Sequence, residues 1–148
     1  LKGHDERGFV FYTNNHSRKA RDLHECAWVG LNFHWKTLRR QVRIEGAVAP
    51  VTEQEADAYF ASRARKSQLG AWASDQSAVL ESRALFEARL AEAEARFEGK
   101  AVPRPPHWGG WRVAPSLMEF WRDMPFRLHD RTVYEHTASG WNVCKLYP

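Results

Sequence analysis

At 148 residues and 17.2 kDa the chain suits a single domain, since a globular protein of that mass buries roughly 70% of its unfolded surface. Its 43% hydrophobic and 27% charged residues lie near globular averages, which excludes collagen-like, low-complexity and wholly disordered classes, and no apolar run reaches the roughly 18 residues of a membrane-spanning helix. The net charge of +4 with a pI near 9.3 suits an anionic partner without choosing among nucleic acid, a membrane surface and a phosphorylated small molecule.

In chain order, residues 1–11 are interrupted by Lys2, His4, Asp5, Glu6 and Arg7 before any apolar run develops, so no signal peptide is expected there. The β-branched and aromatic run 9–13 reads as a strand entering a turn at Asn14-Asn15. Ser17 is placed as the N-cap of a short helix over 18–25, and 28–35 as a strand with Val29, Leu31, Phe33 and Trp35 on one face. Over 40–48, Gln41, Arg43 and Glu45 point one way and Val42, Ile44 and Val48 the other, as in a strand with one polar face. Thr52-Glu-Gln-Glu55 fits a capping box and predicts a helix over 53–62. A longer helix is predicted over 76–98, where Val79, Phe86, Leu90, Ala93 and Phe97 recur at helical spacing and Gly99 then Pro103 supply the stop. The Pro, Trp and Gly segment 102–110 reads as a loop. Strands are predicted at 117–121, 128–136 and 141–146, the last two joined by a hairpin turn at 137–140. Without regular β-α-β alternation, this order predicts a mainly antiparallel β-sheet or barrel with flanking helices.

Leu, Ile, Val and Phe make up only 30 of the 148 residues, while seven Trp, four Tyr and eight Phe offset the shortage. Large rings serve interfaces and flat cofactors as well as cores, so a dimer or a bound ligand is expected. Cys26 and Cys144 are the only cysteines; with no Cys-x-x-Cys pair, neither a disulfide framework nor a thiolate zinc site is supported, and a reducing, cytoplasmic compartment is expected.

Three basic clusters stand out. Arg18 and Lys19 fall in the first turn of the helix capped by Ser17, where cations oppose the macrodipole unless an anion reverses the sign. The segment reads either as a solvated helix start or as a phosphate cradle. Arg63, Arg65 and Lys66, with Ser67, are placed at the end of the 53–62 helix, where cations suit the dipole in any case. Arg127, His129 and Arg131 would project from one face of a strand, on a wet surface or around an anion, with Asp130 and Glu119 close by. No Gly-x-Ser-x-Gly, His-Glu-x-x-His, Walker A or Gly-x-Gly-x-x-Gly pattern occurs. His34 is read as a surface residue and no metal site is expected.

Together these segments resemble the pyridoxine (pyridoxamine) 5′-phosphate oxidase family. The likeness spans nearly the whole chain through Gly8-Phe-Val-Phe-Tyr-Thr-Asn14, Ser17-Arg-Lys19, Arg40-Gln-Val42, Tyr59-Phe60 with Ser62-Arg63, Ser67-Gln-Leu-Gly-Ala-Trp72, Ser74-Asp-Gln-Ser77, Trp108-Gly-Gly110, Glu119-Phe-Trp121 and Arg127-Leu-His-Asp-Arg131. The resemblance implies an FMN-binding split β-barrel that forms a homodimer with flavin sites at the interface. By family motif, Arg18 and Lys19 would hold the FMN phosphate, and Tyr12, Thr13, Gln41, Gln76, Ser77, Trp121 and Arg131 would complete the flavin site. Lys2, Tyr59, Arg63 and Ser67 would take the substrate phosphate, while Arg127 and His129 would be catalytic, facing the pyridine ring. The implied reaction oxidises pyridoxamine or pyridoxine 5′-phosphate to pyridoxal 5′-phosphate with O2 and releases hydrogen peroxide. No nucleic acid or membrane partner is implied.

The family usually opens with an Arg-x-Val-Leu-Leu-Lys segment, and this chain starts at its last two residues, Leu1-Lys2, so a single split-barrel domain over 1–148, truncated at its N-terminal side relative to the family, is expected. Ala64 stands where Pro is common, and Arg122-Asp123 where Gln-Gly is usual. Two alternatives remain: a phenazine-pathway flavin oxidase on the same fold, against which Tyr59, Arg63 and Ser67 argue, and a non-catalytic basic module stacking single-stranded nucleic acid on exposed rings.

Overall fold

The computed structural model describes residues 1–148. Its spine is one long strand, β5 (Trp108–Arg122). Before it come β1 (Gly3–Asp5), β2 (Gly8–Asn14), α1 (Arg18–Glu25), β3 (Trp28–Trp35), β4 (Arg40–Pro50), α2 (Glu53–Ser62), α3 (Arg65–Ala73) and α4 (Arg83–Arg96). A 3-10 turn (Pro125–Arg127), β6 (Asp130–Thr137) and β7 (Gly140–Leu146) follow. All strand pairs are antiparallel. The sheet runs β1-β2-β5-β4-β3, with β6 on β5 and β7 on β6, as expected of the antiparallel reading. No helix is long and apolar enough to cross a membrane.

Pairing along β5 explains the shape. β4 covers 111–122 without interruption except for a register shift at Glu45/Gly46. A strand has only two edges, so β2, which pairs 108–113, and β6, which pairs 117–122, must share the other. Pro115 lies in the gap between them, where its missing N–H costs no ladder bond. There the sheet forks. Opposite Pro115, Gly46 is obligatory, because a Cβ on it would sit 2.0 Å from the Ala114 carbonyl oxygen.

Two apolar clusters follow from the fork. Phe60, Leu69, Ala93, Phe97, Val102 and Trp108 join α2, α3 and α4 to the start of β5. Leu23, Val48, Trp111 and Val113 seat α1 on the sheet, with Phe9, Phe11, Val29 and Leu31 around them. The large rings do much of the burial the scarce aliphatics would otherwise do. A third apolar population stays uncovered: Trp28, Trp35, Leu38, Phe120, Trp141, Val143 and Leu146 are all exposed, on β3, its turn and the forked end of the sheet.

Caps fix the helices that the sequence predicts well. Ser17 accepts from the Ala20 N–H, Thr52 and Glu55 form the full capping box, and α1 and α2 span 18–25 and 53–62 as expected. Elsewhere the structure corrects the reading. The predicted 76–98 helix begins only at Arg83, behind N-cap Ser82, and Val79 is 95% exposed in the preceding loop. β5 begins at Trp108, inside the predicted loop. Arg65 and Lys66 open α3, an unpredicted helix, rather than ending α2. Arg127 and His129 lie outside β6, because Pro125 starts a 3-10 turn whose Phe126 and Arg127 have φ of 58° and 62°; the expected row of 127, 129 and 131 on one strand face does not form.

Substituting Gly46→Ala forces the β4–β5 backbones apart and should cost about 2–4 kcal/mol, in the range of overpacked or strained sites. Chemical denaturation of the variant against the parent checks this; an unchanged midpoint refutes the close approach.

Candidate functional site

The predicted site residues fall into two groups at opposite ends of β5. The first surrounds the end of β2. Thr13, Asn14 and Ser17 are buried, and Thr13 Oγ1 lies 3.3 Å from Ser17 Oγ. Gln76 is drawn in by its side-chain oxygen, which accepts from the Asn14 N–H at 3.1 Å and Thr13 Oγ1 at 3.4 Å. Ser77 beside it adopts φ 73°. Arg18 and Lys19 open α1 with no acidic residue in its first turn, and neither has a carboxylate partner among the ion pairs of the chain.

Next to this lies an aromatic wall. Tyr12 stacks on Tyr59 at 4.0 Å and on Trp108 at 5.2 Å, the planes within 10°. Gly110 makes room for it, since a Cβ there would meet the Tyr12 ring at 2.6 Å. Arg63, the C-cap residue of α2, lays its guanidinium 4.9 Å from the Trp108 ring centre. Its Nη1 is buried with no hydrogen-bond partner, and burial holds its pKa below the ordinary arginine value. Arg63, Ser67, Asn14, Gln76 and Trp108 line one cleft of about 300 Å³. A desolvated cation with an unsatisfied N–H beside a hydroxyl favours an anion. Lys2 is exposed beside β2, tied by its N–H to the Val10 carbonyl, and does not line this cleft.

The second group sits where β4, β5 and β6 run together. Gln41 pairs with Trp121 and Trp121 with Arg131, and directly opposed residues share a face, so these three form one rung across the sheet, while a cleft of about 410 Å³ at the same end is lined mainly by the alternate residues, Val42, Phe120 and Thr132 among them. His129 reaches the same place from the loop, its ring 4.7 Å from that of Trp121. Arg127 is exposed and has no ion-pair partner. Trp121 stands eleven residues beyond Gly110, the partner of Tyr12, about 36 Å along the strand at ~3.3 Å per residue. The two groups therefore lie far apart on one chain.

Three contributors escaped the sequence reading. Asn14 is quoted there only as part of a motif, yet its side-chain N–H donates to the Ser74 carbonyl and its Oδ1 accepts from the His16 N–H. Trp108 falls in the segment the sequence reads as a loop, yet it opens β5 and is the floor of the aromatic wall. Asp123 binds both Arg39 and His129; no spacing rule connects those three positions.

The chain is similar to known proteins. The family profile described as "Pyridoxamine 5'-phosphate oxidase" matches residues 1–97, and that described as "Pyridoxine 5'-phosphate oxidase C-terminal dimerisation region" matches 108–148. The chain is 63% identical over all its 148 residues to a pyridoxine/pyridoxamine 5'-phosphate oxidase of Sphingopyxis alaskensis, covering 68% of that protein. It is 58% identical to one of Caulobacter vibrioides, covering 67%. Among solved structures it resembles PhzG of Burkholderia lata 383, in complex with tetrahydrophenazine-1-carboxylic acid, at TM-score 0.91 and 36% identity, over 99% of this chain and 71% of that one. An FMN-binding protein of Nostoc punctiforme related to pyridoxamine 5'-phosphate oxidase shares the fold at TM-score 0.76 and 14% identity, over 99% and 77% of the two chains.

Behind the second group, Glu119 is 5% exposed and accepts from Arg131 Nε at 2.6 Å, with Arg43 3.7 Å away. The Arg131 hydrogen bond, opposed by burial, holds its pKa below the ordinary carboxylate value. A carboxylate depressed on folding contributes stability that is present above its unfolded pKa, about 4.3, and lost as pH falls through the lower folded value. Thermal melts between about pH 6 and pH 3 should therefore fall less steeply for Glu119→Gln than for the parent; parallel curves would refute the coupling.

Proposed function

Because the chain belongs to the pyridoxamine 5′-phosphate oxidase family, whose profiles match 1–97 and 108–148, we propose that its two half-sites join across a homodimer to oxidise pyridoxamine or pyridoxine 5′-phosphate. The protein is an FMN-dependent oxidoreductase. The observation that carries the substrate assignment is the buried, unpartnered Nη1 of Arg63 in the cleft it shares with Ser67: it asks for a small oxyanion at the foot of an aromatic wall.

In this reading the Ser17 end of α1, with Arg18 and Lys19, takes the FMN phosphate through free N–H groups and two unpaired cations. Thr13, Gln76 and Ser77 hold the chain next to it, with Tyr12 behind them. The rung of Gln41, Trp121 and Arg131 comes from the second subunit and faces the flavin ring. FMN held there would supply the hydride acceptor for oxidation at C4′ of the substrate, with O2 as the final electron acceptor and hydrogen peroxide as its product. Arg63 and Ser67, with Tyr59, anchor the substrate phosphate, so the pyridine ring is delivered at a fixed height. Arg127 and His129, reaching in from the partner's loop, orient that ring and balance charge as the hydride departs.

A second reading, a phenazine-type oxidase, is favoured by the PhzG likeness alone. Peroxide release on adding pyridoxamine 5′-phosphate to flavin-loaded protein supports the first reading; retained flavin without turnover overturns it.

The division between subunits has its own test. Arg63→Ala and Arg127→Ala each disable turnover, and Arg127→Ala does so with flavin content kept. Refolding the two together should restore about a quarter of parental activity, because half of randomly mixed dimers are heterodimers and each holds one intact site. No recovery on mixing would place both residues in the same protomer's site.

A further inference from the structure

We infer that Gln68 is a positioning residue for Arg63 and Ser67: its side-chain amide clasps the end of α2 to the start of α3 and so sets how the guanidinium stands against the hydroxyl. This rests on the reading that the pair anchors the substrate phosphate. Only two residues, Arg63 and Ala64, join α2 to α3, and the joint has little else to hold it. The last turn of α2 contains no basic residue, and Arg63 follows it in an extended conformation, φ −74° and ψ 149°. Neither a cation nor a left-handed glycine therefore meets the carbonyls that a helix leaves without partners at its end. On the other side of the joint Ala64 caps α3 with backbone alone, its carbonyl accepting from the Ser67 and Gln68 N–H groups.

Gln68 supplies what the joint lacks. It is buried, and its Nε2 donates to the Phe60 carbonyl at 2.9 Å and to the Ala61 carbonyl at 3.2 Å. A side-chain amide has two N–H donors on that nitrogen, and both are used; with two carbonyl oxygens as partners, the amide oxygen cannot take its place. The Phe60 carbonyl also accepts from the Arg63 N–H at 3.2 Å. One oxygen thus links the backbone of Arg63 to the side chain of the residue that follows Ser67. The same Phe60 is 1% exposed; its ring meets Trp108 edge-on at 5.1 Å and lies 5.6 Å from the Arg63 guanidinium. Holding the Phe60 carbonyl therefore holds the platform on which Arg63 rests. Gln68 does not line the cleft that contains Arg63 and Ser67, so it acts through them. Without the clasp, α2 and α3 would pivot on a two-residue joint, and an arriving anion would spend part of its binding energy on bringing guanidinium and hydroxyl together.

The test is Gln68→Met in the flavin-loaded protein, because methionine keeps the length and the apolar body of the side chain and removes both donors. The expected result is that KM for pyridoxamine 5′-phosphate and the competitive inhibition constant of inorganic phosphate rise together, each about tenfold, while kcat stays within about twofold and flavin content is kept. An unchanged KM and inhibition constant overturn the inference, and so does a loss confined to flavin content or kcat, which is what a merely structural glutamine would give. Failure of inorganic phosphate to inhibit the parent would instead sink the reading of Arg63 and Ser67 as a phosphate anchor, so the two failures are distinguishable.

Discussion

Two strands share one edge of β5, and most of what is distinctive here follows from that constraint. With β4 along the whole of the other edge, β2 and β6 can pair only in succession, and the joint between them is where a proline can sit without losing a ladder bond. The fork sends the helical layer to one end of β5 and the β6–β7 hairpin to the other. Each end collects candidate site residues of a different kind. The uncovered rings of Trp28, Trp35, Phe120 and Trp141 belong to the same logic. A chain with only 26 of 148 residues buried has left part of its apolar surface for another copy, which matches a dimerisation region over 108–148.

What the sequence revealed depended on whether a local rule was decisive. The Ser17 and Thr52 caps set α1 and α2 to the residue because a side chain satisfies the first free N–H groups. α3 has no such marker: its N-cap is Ala64 with no side-chain bond, so no local rule announces it. The apolar spacing from Val79 onward suggested a helix too early, because Val79 happens to fall in phase with Phe86 and Phe97 while the chain stays in a loop until Ser82. Trp108-Gly-Gly-Trp111 looked like a loop on composition. Its glycines are there for close approach, one to the Tyr12 ring and one to Asn15, a reason visible only across the sheet.

The site was legible at the level of motif and not of geometry. Gln41, Trp121 and Arg131 are separated by up to ninety residues yet form one rung, and alternation alone placed only Gln41 on a polar face. Arg127, His129 and Arg131 looked like a strand row by spacing, but Pro125 and two left-handed residues turn the chain first. The result is better suited to chemistry than a row would be: like charges are spread over a loop and a strand rather than stacked on one wall.

The two arginines central to the half-sites differ in a way that matches their proposed partners. Arg63 is desolvated, lacks a carboxylate, and keeps an unsatisfied buried N–H; its full charge is available, which suits a phosphate that brings charge of its own. Arg131 is neutralised by the buried Glu119 and further tied to the Tyr147 carbonyl, which leaves Nη2 without a protein partner. Such an arginine offers directed N–H donors with little net field, suited to the polar edge of a heterocycle rather than to an anion. Pairing decides which cation recognises charge and which recognises shape, and the sequence, which writes both simply as Arg, does not distinguish them.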